Sequence, residues 1–576
     1  MAEANQSLPE TAEPIPLRIV IGVTGHRDLE AKAIDKIEES LNLIFDRICK
    51  MFPGTKYTEV KFACLSPLAE GADRLVAKTL LKYREDTLLK VVLPLEKSDY
   101  LKDFKTRESK VEFNDLFNKA RFPVTLRGKS ISDEYPPDML DGARAQAYED
   151  VGKFVVDHCD ILIALWDGNG AKGKGGTGHI VEYARESQCP IFTLNTLAPE
   201  QVEFIEGKGI IQSMYKKIDK FNTNLVEKGP SENYVNNQYN SLFSTKKYPL
   251  AGNIEKLTKN LVKKYLIPYY VVASQQAKKF QRIYKNVGLS VFWMAFLSVF
   301  CISFGIIFLN SHPFIFLAES VILTLILVLI AYANRIHSHR NWLESRFFTE
   351  RIRTSFFLTI CGIEIPPVYI NRRDVEETRS STWMLPAFEE IVNRMPSGSG
   401  ISWDNLEVLS QYVKSAWLGN QLLYHQGSAD SRNERGALSS SGKGIINQNI
   451  TMSETLEKMG SWVFYVALAV ASIHFISHML FQVSHHHPVS LTMTLFALTL
   501  PAVASAFESI RNHRQYRQLV IRSKKVSFAL RNIERRFILL TPKKFEGLVK
   551  ETEQVLLEEA EEWITLMSFS QLHKAV

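Results

Sequence analysis

Apolar residues are gathered into blocks along this chain. Residues 286–318, 320–334 and 459–507 contain no Asp, Glu, Lys or Arg, and Glu319 alone separates the first two runs. A bilayer-spanning helix needs about 20 largely apolar residues. Four membrane helices in two hairpins are therefore predicted. Helices 287–309 and 313–333 turn at Asn310-Ser311-His312-Pro313, and helices 459–481 and 488–507 turn at Ser484-His485-His486-His487-Pro488.

Ahead of these blocks the period changes. Leu17–Val23, Thr58–Leu65, Leu88–Leu95, Asp160–Trp166 and Ile191–Asn195 are short apolar runs. Between them Ile34–Met51, Gly71–Leu81, Tyr148–His158 and Ile180–Ser187 have helical spacing. Buried strands alternating with helices predict a parallel sheet covered on both faces. The expected fold is thus an α/β Rossmann-like domain followed by an all-α membrane domain of four transmembrane helices. Between the hairpins, Pro366-Pro367, Pro386 and Pro396-Ser397-Gly398-Ser399-Gly400 preclude one unbroken helix. Leu406–Gln426 has helical spacing, and the Ser/Gly-rich stretch Ala437–Gly444 reads as a flexible linker.

Charge placement adds an orientation. The formal net charge is only +7 over 576 residues, and much of the basic excess sits beside the apolar blocks. Lys278, Lys279, Arg282 and Lys285 precede the first hairpin; Arg335 and Arg340 follow it. Lys458 precedes the second, with Arg511, Arg514 and Arg517 after it. The turns carry no Lys or Arg, so both termini and the central segment are expected in the cytosol. No aromatic-basic strip points to nucleic acid. The six cysteines are scattered without metal-like spacing, which fits a reducing compartment. The polar, acidic MAEANQSLPETAEP start has no signal-peptide pattern.

An internal repeat follows each hairpin. Ile336-His337-Ser338-His339-Arg340-Asn341-Trp342 and Ile510-Arg511-Asn512-His513-Arg514-Gln515-Tyr516 both fit I-x-x-H-R-[NQ]-[WY]. Two copies of one module account for this, each a hairpin whose second helix continues beyond the membrane.

Candidate chemistry lies in three loops at the carboxyl ends of the predicted strands, where ligands bind in such sheets. The first contains Gly22, Thr24, Gly25, His26 and Arg27; the second contains Ser66, Glu70, Gly71 and Asp73. The third runs from Asp167 through six glycines and two lysines, including Gly175, Gly176, Thr177, Gly178 and His179, to Glu182. Glycines let backbone approach a ligand closely, and a helix start offers free amides to phosphate. A phosphate-containing ligand is expected.

Residues 17–197 resemble the SLOG superfamily, which includes the lonely-guy nucleotide phosphoribohydrolases and sensors of nucleotide-derived signals. Their G-G-x-G-T-x-x-E motif is matched by Gly175-Gly176-Thr177-Gly178-His179-Ile180-Val181-Glu182, with His179 in place of threonine. Their helical arginine would fall near Val151, and the nearest arginine is Arg144. The resemblance thus implies a phosphate cradle that binds without turnover. Residues 270–576 resemble the SLATT family of membrane effectors in the hairpins, the aromatic and basic helices after them, and Trp417-x-x-x-Gln421-x-x-Tyr424-His425. That pairing implies prokaryotic antiviral defence in which a nucleotide signal gates membrane damage.

The expected organisation is a disordered start (1–16), a SLOG-like domain (17–197), a helical connector (198–286), hairpin one (287–333), a cytosolic helical segment (334–458), hairpin two (459–507) and a helical C-terminus (508–576). The expected partners are a nucleotide-derived small molecule, membrane lipid and further copies of the chain, with no nucleic acid. No cofactor and no metal centre are expected: His474 and His478 have a spacing compatible with zinc, but interfacial histidines account for them. Glu319, roughly two turns into the second helix, is a candidate pore-lining residue. A membrane-anchored phosphoribohydrolase using Glu182, and a ligand-regulated channel like the TRPM channels, are the alternatives. The expected location is the inner membrane.

Overall fold

The computed structural model describes residues 12–120, 123–170, 175–207, 211–309, 312–365, 372, 383–396, 406–426, 445–481, 487–538 and 540–568. Two compact units divide the chain: Met1–Gly229 with Ile365–Pro396, and Pro230–Glu364 with Ser397–Val576.

The first unit is the expected α/β domain. Its elements are β1 (Leu17–Gly25), α1 (Ile34–Met51), β2 (Val60–Ser66), α2 (Ala72–Tyr83), β3 (Leu88–Leu93), α3 (Lys97–Tyr100), α4 (Arg107–Phe117) and β4 (Val124–Thr125). They continue with α5 (Ile131–Glu134), α6 (Leu140–His158), β5 (Ile161–Trp166), α7 (Thr177–Glu186), β6 (Ile191–Asn195), β7 (Val202–Ile205) and α8 (Ile211–Glu227). The seven strands lie in the order β4-β3-β2-β1-β5-β6-β7. All neighbours are parallel except the β6–β7 pair. β1 is central because its residues Ile19 to Val23 are buried between β2 and β5. Helix α1 covers one face with Ile37, Leu41, Ile44, Phe45 and Ile48, the 3–4 spacing of a single buried stripe.

All five predicted strands form. The short edge strands β4 and β7 lie where no strand was expected, and α6 begins at Leu140 rather than Tyr148. Strands of two and four residues have too little pattern to be read from sequence.

The described part of 365–396 packs on this same unit. Arg18 Nε lies 2.5 Å from Glu390 Oε1 and its Nη2 donates to Glu390 Oε2 at 2.9 Å, with both groups nearly buried. Lys90 pairs with Glu389 at 2.6 Å. These acids sit on the helix Met384–Asn393, α14 in chain order. A bidentate arginine–carboxylate pair fixes orientation as well as position.

The second unit is helical. It contains α9 (Glu232–Phe243), α10 (Lys256–Leu261), α11 (Ile267–Phe308), α12 (Pro313–Arg335), α13 (Ser338–Ile360), α15 (Leu406–Val413) and α16 (Asn420–Gln426). These are followed by α17 (Ile445–Phe481), α18 (Pro488–His513), α19 (Tyr516–Arg535) and α20 (Pro542–Ser568). Four helices here are long and apolar enough to cross a membrane. They pack as pairs, α11 with α12 and α17 with α18, and α11 also packs along α18. The expected four-helix membrane architecture is therefore present. Most of both turns, at 310–311 and 484–486, and the linker 437–444 lie outside the described residues, as do Pro366-Pro367 and 397–400.

The span-bearing helices extend well past the spans. α11 runs 42 residues without a break. α12 passes into α13 through His337 at φ 48°, and α18 passes into α19 through Gln515 at φ 53°. Beyond the spans, Ala277, Tyr284, Trp342, Leu343, Trp563 and Met567 form one core. The rings of Phe357 and Trp417 stack at 4.7 Å, and the Arg346 guanidinium lies 4.4 Å over the Trp563 ring.

Candidate functional site

The strand order changes direction at β1: β2 continues on one side and β5 on the other. Loops leaving such a switch point diverge and open a crevice at the carboxyl edge. The residues there are drawn from each of the three predicted loops.

His26 follows β1 directly and extends its ladder, its amide donating to Leu165 O at 3.1 Å. Its Nε2 lies 3.0 Å from Asp167 Oδ1 and 3.2 Å from the Asp167 amide. The first and third loops are thus joined across the switch point. Asp167 also accepts from the side chain and amide of Asn169, both at 3.0 Å. The Asn169 hydrogen bonds, with a smaller part from His26, lower its carboxyl to about 2. This acid stays ionised.

The second loop is locked to the first through backbone. The Ala72 amide donates to His26 O at 3.0 Å. A Cβ on Gly71, which has φ 78°, would lie 2.1 Å from Arg27 O. A Cβ on Gly25 would lie 2.3 Å from Ala72 Cβ and 2.8 Å from Leu165 O. These two glycines serve close packing of loop on loop. Gly22 packs against the end of α6, where an added Cβ would meet Val155 Cγ1 at 2.9 Å and, just past the helix, Cys159 Cβ at 2.7 Å. Thr24, half-buried, ends β1 beside Gly25.

Ser66 is buried and turns the loop by accepting from the Leu68 amide at 3.0 Å. Glu70 accepts from Ser109 Oγ and, at 3.3 Å, from the Lys105 amide. Asp73 is buried and accepts from the Ala69 amide at 3.2 Å. Burial raises its carboxyl to about 7, against the pull of that amide and of the Arg27 and Arg74 charges.

Tyr148 is the residue that sequence reading missed. The Arg27 guanidinium, exposed at the loop tip, lies 4.8 Å over its ring. Its hydroxyl donates to Asp103. One turn earlier on α6, Arg144 also pairs with Asp103 and reaches Asp99 O at 3.4 Å. The only sequence signal was the spacing of Arg144 and Tyr148, which puts them on one face of a helix longer than its apolar pattern implied.

The third loop returns at Gly175, residues 171–174 lying outside the described residues. Gly175 has φ 75°, and a Cβ there would sit 2.8 Å from the Glu149 amide. Its own amide points to His179 Nδ1 at 3.4 Å, and His179 Nε2 lies 3.9 Å from Glu149. The nearly buried Glu149 is held by Lys153 Nζ at 2.6 Å. α7 begins at Thr177 after Gly176 with no side-chain cap, and Gly178 lies in its first turn. The first amides of such a helix point outward without intrahelical partners. Glu182 stands apart on the exposed face of α7, whose other face buries Ile180, Val181 and Ala184. Val151, where the resemblance would put an arginine, is buried in the core.

Glu319 lies in the second turn of α12, half-buried. A separate cavity of about 830 Å³ opens at the amino ends of the strands. Of its cations, Lys61 and Arg84 pair with Asp86 and Arg394 with Glu13, while Lys56 lies 5.1 Å over the Tyr57 ring. No protein-family model matches this chain, and no curated protein aligns with it significantly.

Proposed function

We propose that the chain is a membrane effector gated by a nucleotide-derived signal, as the resemblance to SLOG sensors and SLATT effectors implies. The carrying observation is the joining of His26 and Asp167 at the switch point, in the same loop set as the glycine-flanked start of α7, in a chain that also holds four span-length apolar helices. Phosphate oxygens take the first amides of α7, and Arg27, exposed at the loop tip over the Tyr148 ring, supplies a counter-charge. Binding acts on the membrane part only to the extent that the ligand prefers the active arrangement. The working assembly is a homo-oligomer in the inner membrane, termini in the cytosol, in prokaryotic antiviral defence. No cofactor and no nucleic acid enter the scheme.

Binding without turnover is favoured over phosphoribohydrolase activity by two features. The core valine Val151 stands in place of an arginine, and Glu182 is exposed on the outer face of α7. The test uses the full-length protein in lipid nanodiscs and in dye-loaded liposomes, with a panel of nucleoside monophosphates and cyclic and linear oligonucleotide signals. The reading expects saturable binding of one class, dye release on its addition, and no free base. Release of free base would establish the enzyme instead. Absence of binding across the panel, with liposomes tight throughout, overturns the proposal.

A further inference from the structure

Where the first hairpin begins and the second ends, like charges meet. Lys285 is the last charged residue of α11 before its apolar span, and Arg514 follows α18 directly. Arg514 Nη2 reaches Lys285 O at 3.4 Å. Arg346, on α13, is the third member: its charge and that of Arg514 both act on Lys285, and no carboxylate offsets them there. The neighbouring acids are engaged elsewhere. Glu350 and Glu559 act on Arg346, Glu344 pairs with Arg340, and Glu457 and Glu508 pair with Arg511. Among the described residues neither Lys285 nor Arg514 has an ion-pair partner.

Packing holds these cations together against their repulsion. His513, next to Arg514, has its ring 4.9 Å from that of Tyr284, and a Cβ on Gly288 would lie 2.9 Å from its Nε2. The end of α18 is therefore pressed onto α11. The Arg346 guanidinium lies 4.4 Å over the Trp563 ring and donates to the Tyr424 hydroxyl at 3.1 Å. The group is thus arranged before any anion arrives, which lowers the ordering cost of binding one. Guanidinium forks beside an ammonium suit the oxygens of a phosphate.

An apolar track leads away from this group. Leu289 and Trp293 follow Lys285 at four-residue steps, on one face of α11, and each is 40 % exposed. The Trp293 ring meets Phe507 of α18 edge-on at 6.0 Å, so the track follows the seam between α11 and α18. Free phosphate would use only the head of such a site, whereas a phospholipid uses both parts. Basic pockets between membrane helices bind anionic headgroups in this way. We propose that Lys285, Arg514 and Arg346 hold the phosphate of one anionic phospholipid, whose acyl chain lies along Leu289 and Trp293. A choline headgroup brings its own cation into the site and is disfavoured there. Every residue of the site belongs to the helical unit, so the proposal is independent of the nucleotide reading.

The test is native mass spectrometry of the full-length protein in detergent, titrated with phosphatidylglycerol, with phosphatidylcholine of the same acyl chains, or with inorganic phosphate. One phosphatidylglycerol per chain should survive activation that strips phosphatidylcholine, and inorganic phosphate should not displace it. Lys285→Gln with Arg514→Gln should weaken its binding at least tenfold. Lys279→Gln with Lys458→Gln removes the same charge from exposed positions near the spans and should leave binding unchanged. Should the first pair fail to fold, a Trp462→Phe protein, which loses a lipid-facing tryptophan on α17, keeps the site intact. Brominated phosphatidylglycerol as a minor bilayer lipid should quench its fluorescence more than the same fraction of brominated phosphatidylcholine. Equal retention of the two lipids, equal losses in the two variant pairs, displacement by inorganic phosphate, or equal quenching overturns the site.

Discussion

His339 and His513, the matching histidines of the two repeat copies, close on one side chain: their rings lie 4.6 and 4.9 Å from that of Tyr284. Trp342 adds a third ring at 5.3 Å. The Tyr284 hydroxyl and His513 Nδ1 are 3.4 Å apart. Tyr284 belongs to α11, three residues before the first span, so the repeat joins the exits of both hairpins to the entry of the first. Gly288 one turn on makes room, since a Cβ there would lie 2.9 Å from His513 Nε2.

This junction predicts unequal effects at one position. Tyr284→Ala removes the shared ring and should destabilise the helical unit by about 3–5 kcal/mol, the usual cost of deleting a buried aromatic. Tyr284→Phe keeps the ring and should cost about 1 kcal/mol. Thermal unfolding of the full-length protein in detergent compares them; equal losses would show that the ring is not the joint.

The same junction shows what sequence could and could not convey. Both repeat copies were legible because I-x-x-H-R-[NQ]-[WY] recurs at a fixed distance from each apolar block. Where the helix breaks was not. The left-handed residue is His337, before the motif histidine, in one copy, and Gln515, after it, in the other. Neither is a glycine, so packing rather than local preference selects the break. In the α/β unit the strands were legible as apolar runs. Gly25 and Gly71 are expected from sequence to make room for a ligand, but what they make room for is neighbouring chain: Ala72 and Leu165 at Gly25, the Arg27 carbonyl at Gly71. That distinction depends on atoms distant in sequence, as does the contact of Arg27 with Tyr148.

Those glycines give a second prediction. Gly71→Ala must hold a left-handed backbone and meets Arg27 O; Gly25→Ala meets Ala72 and Leu165. Each should cost about 1–3 kcal/mol or more through overpacking. The readout is the unfolding midpoint of the full chain. Unchanged midpoints would mean that the two loops part easily.

A third concerns Asp73 and pH. Its folded carboxyl is raised to about 7 by burial, so the folded state keeps a proton that the unfolded chain releases from about pH 4 upward. The unfolded state then binds fewer protons, and stability falls as pH rises from about 4 to about 7. Asp73→Asn mimics the protonated group and retains an oxygen for the Ala69 amide. It should raise stability at pH 8 and leave pH 4 little changed, flattening the profile. A profile as steep as that of the wild type would refute the assignment.

A fourth separates positioning from contact in the crevice. On the proposed reading, Arg27→Ala should weaken binding of the nucleotide-derived ligand at least tenfold by removing its phosphate partner. Tyr148→Ala, which only frees Arg27 to wander, should weaken it about three- to tenfold, and Tyr148→Phe should restore most of the loss because the ring face remains. Isothermal titration distinguishes them, and Glu182→Gln serves as the exposed control. If both Tyr148 variants behave alike, the ring does not position Arg27.

The last concerns assembly. α12 presents Phe314, Leu317, Val321 and Val328 outward, and α17 presents Trp462, Tyr465 and Leu480. Lipid can cover those faces, but it suits Glu319 poorly. No cation pairs with Glu319 among the described residues, and a carboxylate inside a span costs a few kcal/mol unless it is hydrated or paired. Two hairpins are too few to enclose a water path, so hydration within the span requires several copies. Small residues allow such copies to approach closely. Ala467 and Ala506 are already used inside the chain, whereas Ala469 and Ser472 face outward. We therefore expect a homo-oligomer whose size or packing changes on nucleotide binding, with Glu319 toward its axis. Mass photometry in detergent, with and without ligand, measures the first part; Ala469→Trp should lower the subunit number. Conductance of reconstituted protein measures the second, and Glu319→Leu should reduce it severalfold. A monomer under both conditions with liposomes tight, or full conductance in Glu319→Leu, would defeat the corresponding half of this expectation.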